Sequence, residues 1–322
     1  MVINRSYRAA IIAGVCYGIV SQRAIRLHGL ESLFGVMSVG FVFILPFLLG
    51  VVTIAYARES QQRSWIFRIF APIGTVFISL ICSLIVGWEG AICGVFAALI
   101  YSPLASCGGV LAGIFITRRK RQLNSSFLML LLISPFISAF VENQFELPVS
   151  LSHVETSIEI NTPAADVWSQ IVRVPRITEP LDGYFYRIGF PKPLEATLSH
   201  EGVGGVRQAS FERGLLFVET IDIWETDRKL SFSIKPDAES VPTTTLDEHV
   251  LVGGRYFDVL RGTYEIVPLR DGAVLLKLSS DIRVSTRFNF YAEFWAKMLM
   301  YDIQDTILKV IKTRAENTTA IK

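Results

Sequence analysis

The chain is expected to fold as an apolar helical segment followed by an α+β domain, an antiparallel sheet with a long C-terminal helix across one face. Three observations lead there. Charge is segregated: residues 1–150 hold 11 Lys/Arg and 5 Asp/Glu with no Asp, whereas residues 151–322 hold 20 and 24. Uncharged runs long enough to cross a bilayer, about 20 residues, occur only in the first half. The second half shows period-two alternation in several short runs, then changes to a helical period near its end. A mean hydropathy of +0.43 with only 19% charged residues averages these unlike halves, so the net charge of +2 says nothing about partners.

Leu33–Ala57 is 25 residues without a charge, Ile69–Trp88 is 20, Gly90–Thr117 is 28 and Leu123–Val141 is 19. Ala9–Gln22 adds a shorter run of 14, extended if Arg23 and Arg26 snorkel to the headgroups. The expectation is five spans, at about 7–27, 33–57, 69–88, 90–117 and 123–141, with four as the alternative. Arg5 and Arg8 resemble the basic start of a signal peptide, but no small-x-small pattern leads into a polar mature start. Basic loops face the cytoplasm. That places Arg58, Arg63 and Arg68 inside, together with the run Arg118-Arg119-Lys120-Arg121, and puts the Glu89 loop outside. Arg23 and Arg26 run against the rule. The C-terminal domain then lies outside the cytoplasm, which suits a multi-pass protein of a bacterial plasma membrane with a periplasmic domain.

The four clear spans hold no ionisable residue, which reads as an anchor rather than an ion-coupled pump. Pro46, Pro72, Pro103 and Pro135 predict kinks. Cys16, Cys82, Cys93 and Cys107 all lie in these apolar stretches and read as small fillers.

Residues 142–152 read as a linker, 153–316 as the domain and 317–322 as a tail. Val154, Thr156, Ile158 and Ile160 alternate with acidic and hydroxyl residues, as in a half-buried strand. Thr162 is a candidate N-cap, with Pro163 first in the helix and Val167, Trp168, Ile171 and Val172 on one face. A second short helix is expected around Arg176–Pro180. Strands follow at Glu195–His200, Val206–Phe211, Leu215–Trp224 and Leu230–Lys235. After a loop at 237–252 come Tyr256–Val267, a turn at Asp271-Gly272, and Ala273–Val284. The closing helix, about Asn289 to Ala315, carries Tyr291, Trp295, Leu299, Ile303, Ile307 and Ile311 as a stripe that Phe294 and Met298 widen.

This order, with the stretch from Ser157 to Trp168, Gly202-Val-Gly-Gly-Val-Arg207, Ala209-Ser-Phe211, Val218-Glu219-Thr220, Trp224-Glu225 and the Ile307–Glu316 helix, resembles the START-related, Bet v 1-like superfamily. That group is often called the polyketide cyclase/dehydrase and lipid-transport group. The resemblance covers about residues 150–316. It implies the helix-grip fold, a curved antiparallel sheet wrapped on a long C-terminal helix, with an apolar cavity between them for a lipid or other hydrophobic small molecule. Trp168, Tyr184, Arg207, Phe211, Glu219, Tyr264, Phe294, Trp295 and Met298 are the expected ligand-binding residues. Arg207 is read as facing inward to pair with a ligand carboxylate or with Glu219, or else as a solvated strand residue or an ordinary cross-strand ion pair. His200 reads as an exposed hairpin residue, and His153 and His249 as solvated linker and loop residues. Asp281 and Arg283 share one strand face and are candidates for pairing across the sheet.

Signatures of metalloproteases, P-loops, serine hydrolases and redox dithiols are missing. No catalytic residue, metal or cofactor is therefore assigned. The expected function is membrane-anchored binding or transfer of a hydrophobic molecule. The alternatives are a cyclase or dehydratase using the same cavity, or a ligand-responsive membrane sensor. The expected partners are the lipid bilayer and that molecule. The domain's net −4 argues against nucleic acid.

Overall fold

A computed structural model describes residues 7–27, 37–119, 125–236 and 252–321. Arg5, Lys120, Arg121, His249, the first residues of the spans expected at 33 and 123, and all but the end of the 237–252 loop lie outside the described residues. The chain divides into two compact units, Met1–Leu147 and Pro148–Lys322.

The first unit is helical: α1 (Tyr7–Ile25), a π-helical turn (Gly40–Ile44) leading into α2 (Leu45–Ala55), α3 (Glu59–Arg63), α4 (Trp65–Val86), α5 (Ala91–Arg119) and α6 (Ser125–Glu142). Among the described residues, two helices are long and apolar enough to cross a membrane, Trp65–Val86 and Ile92–Arg118; Gly40–Ala55 and Ser126–Glu142 are apolar but shorter. α1 carries Arg8 and Arg23 within its 19 residues, which dilutes its hydropathy. Pro72, Pro103 and Pro135 sit inside helices, and Pro46 lies where the π-helical turn runs on into α2; its missing N–H removes a donor from that turn, whose Phe41 carbonyl accepts from the Tyr101 hydroxyl at 3.1 Å.

Glycine sets the closest packing here. The α-carbons of Gly50 and Gly108 lie so near the carbonyl oxygens of Ala105 and Phe47 that a Cβ at either would overlap them, so α2 and α5 touch backbone to backbone. The outer face of α4 is apolar, and its inner face mixes hydroxyls with Val76 and Leu80. α4 buries Thr75, Ser79 and Ser83 while Phe70, Phe77, Ile81 and Ile85 face outward. The buried hydroxyls are satisfied locally: Thr53 and Thr75 share a hydrogen bond of 3.1 Å, Ser79 donates to the Thr75 carbonyl at 2.9 Å, and Ser83 bonds Gln22. Polar contacts also tie the helix ends together. Arg26 pairs with Glu89 at 3.2 Å, Arg68 donates to Thr117 at 3.2 Å, and the Glu142 carboxylate accepts the N–H groups of Val39 (2.7 Å) and Gly40 (3.1 Å).

The second unit opens with β1 (Ser150–Ile160). Then come α7 (Ala164–Val172), α8 (Tyr184–Arg187), β2 (Pro193–Leu198), β3 (Val206–Phe211), β4 (Leu216–Glu225), β5 (Lys229–Pro236), β6 (Phe257–Pro268), β7 (Val274–Val284) and α9 (Asn289–Ile321). Every pairing in the seven-stranded sheet is antiparallel, in the order β1-β7-β6-β5-β4-β3-β2. Register shifts at Pro193/Glu195, Ile221/Ile223 and Val259/Arg261 bend β2, β4 and β6, because a bulge adds local twist. With α9 against it, the sheet has the helix-grip arrangement.

Several local expectations shift. β1 begins at Ser150, so His153 is a strand residue whose Nδ1 lies 2.8 Å from Asp281, rather than part of a solvated linker. Asp281 and Arg283 each pair across the sheet as expected, Asp281 with His153 of β1 and Arg283 with Asp258 of β6 at 3.9 Å, and Arg283 also donates to the Gly254 carbonyl at 2.7 Å. The N-cap of α7 is Pro163, in an extended conformation, and Thr162 is buried just before it. Residues 176–180 are not helical; the second short helix forms at Tyr184–Arg187, where both Asp302 oxygens accept N–H groups of its first turn, from Tyr184 (3.0 Å) and Phe185 (2.9 Å).

The core lies between α7, the sheet and the second half of α9. It includes Ile160, Val167, Ile171, Leu230, Ile266, Leu276, Leu308 and Ile311. At its edge Trp168 meets Trp224 edge to face at 5.1 Å. Arg314 of α9 clamps Glu179 with two bonds, 2.6 and 2.8 Å, and also donates to the carbonyls of Pro175 and Arg176. The guanidinium holds the Glu179 carboxyl down at about 2. Because the folded value lies below the unfolded one, this stabilisation is complete above the ordinary glutamate pKa of 4.5 and is lost as pH falls towards 2. Glu179→Gln is therefore expected to lower stability at all pH values above about 4.5 and to converge with the wild type as pH falls towards 2, flattening the acid limb of the stability-against-pH curve, as read by denaturant melts.

Candidate functional site

Between the concave sheet and α9 lies a cavity of about 150 Å³. Its walls come from β2 to β7, from the segments before and after α8, and from one face of α9. The lining is mostly apolar: Val174, Ile177 and Phe190 on one side, Phe217, Phe232, Ile234 and Val259 from the sheet, and Leu299, Met300, Ile303 and Ile307 from the helix. β6 contributes Gly262, paired with Phe232. The Phe232 ring lies so close over its α-carbon, 2.6 Å from where a Cβ would stand, that a side chain there would displace the ring.

The polar feature is a buried ion pair. Arg207 on β3 and Glu219 on β4 are cross-strand partners, 2.9 Å apart from Nη1 to Oε2. Both side chains are almost fully enclosed, and the guanidinium lies over the Phe232 ring, 5.2 Å from its centre. Burial pushes the Glu219 carboxyl up from its ordinary range, and Arg207 pulls it back only in part. Burial likewise pushes up the Tyr264 phenol, and the nearby Arg207 guanidinium pulls it back only in part. One donor remains: Arg207 Nε is buried and has no hydrogen-bond partner among the described residues. The Gln304 amide in the wall, by contrast, has partners for both its oxygen and its nitrogen. Gln304 of α9 accepts from Thr156 at 2.8 Å and donates to Ser280 at 3.0 Å and to the Val154 carbonyl at 3.2 Å, fastening α9 to β1 and β7.

Of the expected ligand-binding residues, Arg207, Phe211, Glu219 and Tyr264 line this cavity. The other five do not. Trp168 is in the core beneath α7. Tyr184, Phe294 and Met298 face outward, and Trp295 packs edge to face against Tyr291 and Phe294. The helix presents Leu299, Met300, Ile303, Gln304 and Ile307 to the cavity instead. Gln304 was missed, although an amide set between Met300 and Ile307 at helical spacing on an apolar face was a readable sign of a buried polar anchor. Phe232 and Gly262 left no such sign, because their partnership depends on strand register.

No protein-family model and no curated protein sequence matches the chain. Solved structures do. The Zhui aromatase/cyclase from a Streptomyces species is 17% identical at a TM-score of 0.34, covering 53% of this chain and 96% of that one. XoxI from Bacillus cereus is 15% identical at a TM-score of 0.33, covering 52% and 98%. Truncated norcoclaurine synthase from Thalictrum flavum is 12% identical at a TM-score of 0.32, covering 52% and 97%.

Proposed function

We propose that the C-terminal domain binds an electrically neutral, largely apolar small molecule carrying one hydrogen-bond acceptor. We further propose that residues 1–141 hold it in a membrane, as a multi-span anchor with the domain outside the cytoplasm. The observation that carries the first part is the unpartnered Arg207 Nε–H inside an apolar cavity. A buried donor without an acceptor costs about 1–3 kcal/mol, so a ligand oxygen placed there recovers that amount. Arg207 is already paired with Glu219, so a carboxylate ligand would bring an uncompensated charge beside two nearly fully buried charged side chains. A ketone, ester or phenol oxygen brings none. The size of the cavity favours one or two rings over a two-chain lipid, since a cavity of about 150 Å³ takes a molecule of benzene size without rearrangement.

The anchor is supported by the apolar outer face of α4 and by the contacts among helix ends. Arg26 beside Glu89, and Arg68 beside Thr117, fit helices that alternate in direction. One observation favours a second reading, an enzyme that cyclises or dehydrates its ligand: a carboxyl with a raised pKa, a phenol and a guanidinium meet at one wall of the cavity.

The test is mass spectrometry of organic extracts from the full-length chain, purified in mild detergent, against Ala209→Phe. Ala209 lies two residues from Arg207 on the same cavity-facing side of β3. The variant is expected to cut bound molecule about ten-fold or more while domain stability shifts by no more than about 2 kcal/mol. A wild-type extract with no small molecule, or a variant extract that retains all of it, overturns the binding reading. Disappearance of the purified molecule on incubation with the wild-type protein would select the enzyme.

A further inference from the structure

We propose that the outer face of the first three turns of α9 docks on the surface of the lipid bilayer, holding the domain flat against it. Phe290, Phe294, Met298 and Tyr301 follow one another at spacings of four, four and three, so they form one stripe along the helix. They are 74%, 55%, 41% and 48% exposed. The opposite side of the same turns is committed to the fold through Ala296, Leu299 and Met300. The outward stripe therefore does nothing for the cavity or the core.

Its position names the occupant. The Asn289 side chain donates to the Pro148 carbonyl at 2.8 Å, and Glu293 accepts from Ser150 (2.9 Å) and Ser152 (2.5 Å). The start of α9 is thus pinned to the start of the domain, where the tether enters. That tether, residues 143–149, reaches at most about 25 Å even fully extended. The stripe therefore stands at the tethered end of the domain. Val149 and Leu151, exposed at 61% and 69%, add apolar surface at that same end.

A second copy of the chain is a poorer occupant. Four side chains about half exposed, at about 150–250 Å² each, offer about 400 Å², roughly half of the ~800 Å² per partner that a stable dimer buries. Aromatic rings and a thioether, ending in a tyrosine, suit the headgroup boundary. The inference rests on the reading of residues 1–141 as membrane-embedded.

The experiment uses the full chain in vesicles of phosphatidylcholine and phosphatidylglycerol. Cys16, Cys82, Cys93 and Cys107 are replaced by alanine, and a bimane label is placed at Phe294→Cys, at Met298→Cys or, as control, at Lys309→Cys. All three positions are exposed, so labelling leaves the core intact. Brominated lipid is expected to quench the labels at 294 and 298 about two-fold or more relative to that at 309, with aqueous iodide showing the reverse order. Iodide quenching at 294 equal to that at 309, in protein that survives a carbonate wash, overturns the docking and leaves the anchor standing. Release of the chain by carbonate overturns the anchor, and the docking with it. Shielding from both quenchers that grows with protein density identifies a second copy and also overturns the proposal.

Discussion

Arg207→Leu is expected to destabilise the C-terminal domain by about 3–5 kcal/mol, because it leaves the Glu219 carboxylate buried without its counter-charge. Arg207→Leu combined with Glu219→Leu should recover most of that loss, since an apolar pair of similar volume is often neutral there. Denaturant melts followed by tryptophan fluorescence measure both. The pH dependence gives a second, independent sign. Burial already raises the Glu219 carboxyl, and without the guanidinium nothing opposes it. A folded-state pKa above the unfolded one means stability that is complete below the unfolded value and is lost as pH rises through the folded one. The single variant should therefore be most stable in acid and weaken towards neutrality, opposite in slope to the Glu179 effect. A single variant no weaker than the double would show that the pair carries no charge worth compensating.

Gly108→Val is expected to do comparable damage in the helical unit. The added side chain must enter the space held by the Phe47 carbonyl of α2, and backbone on both sides leaves no flexible neighbour to yield. Overpacking of this kind costs about 1–3 kcal/mol and more where backbone must move, and a β-branched residue adds its own restriction in a helix. Loss of the monodisperse peak in detergent size-exclusion after mild heating is the readout. Gly74→Val is the control on α4, where a Cβ meets nothing within 4 Å. Equal behaviour of the two variants would rule out backbone contact between α2 and α5 as a determinant of that unit.

The strands were legible where one face is buried and the other wet. β7 alternates without a break along its length, and Val154 and Ile160 are buried where the period-two pattern put them. The face of α9 was not legible near its start. From Phe290 to Tyr301 apolar residues surround the helix, so periodicity marks a helix without choosing its inner side: Phe294 and Met298 face outward, and Met300 and Gln304 hold the inner side. The second short helix was misplaced for a different reason. Its first turn is capped by Asp302, more than a hundred residues away, and no local signal at Tyr184 announces that partner. Cross-strand pairing of Arg207 with Glu219 followed from a single tight turn between adjacent strands. The space around them depends on bulges, which leave no residue pattern of their own.

The pairing of β1 with β7 governs how the domain can be synthesised. β1 ends at Ile160 and its neighbour in the sheet begins at Val274. At 5–20 residues per second, translation delivers that neighbour on the order of ten seconds after β1 has emerged. During that interval the meander from β2 to β6 can pair locally, whereas β1 waits with its backbone groups bare and α9, which covers it, has not yet been made. Closure is thus a late, long-range event, the kind that slows folding most. A ribosome stalled before Val274 would hold a nascent chain in its most aggregation-prone form, with an open strand joined directly to the helical segment ahead of it.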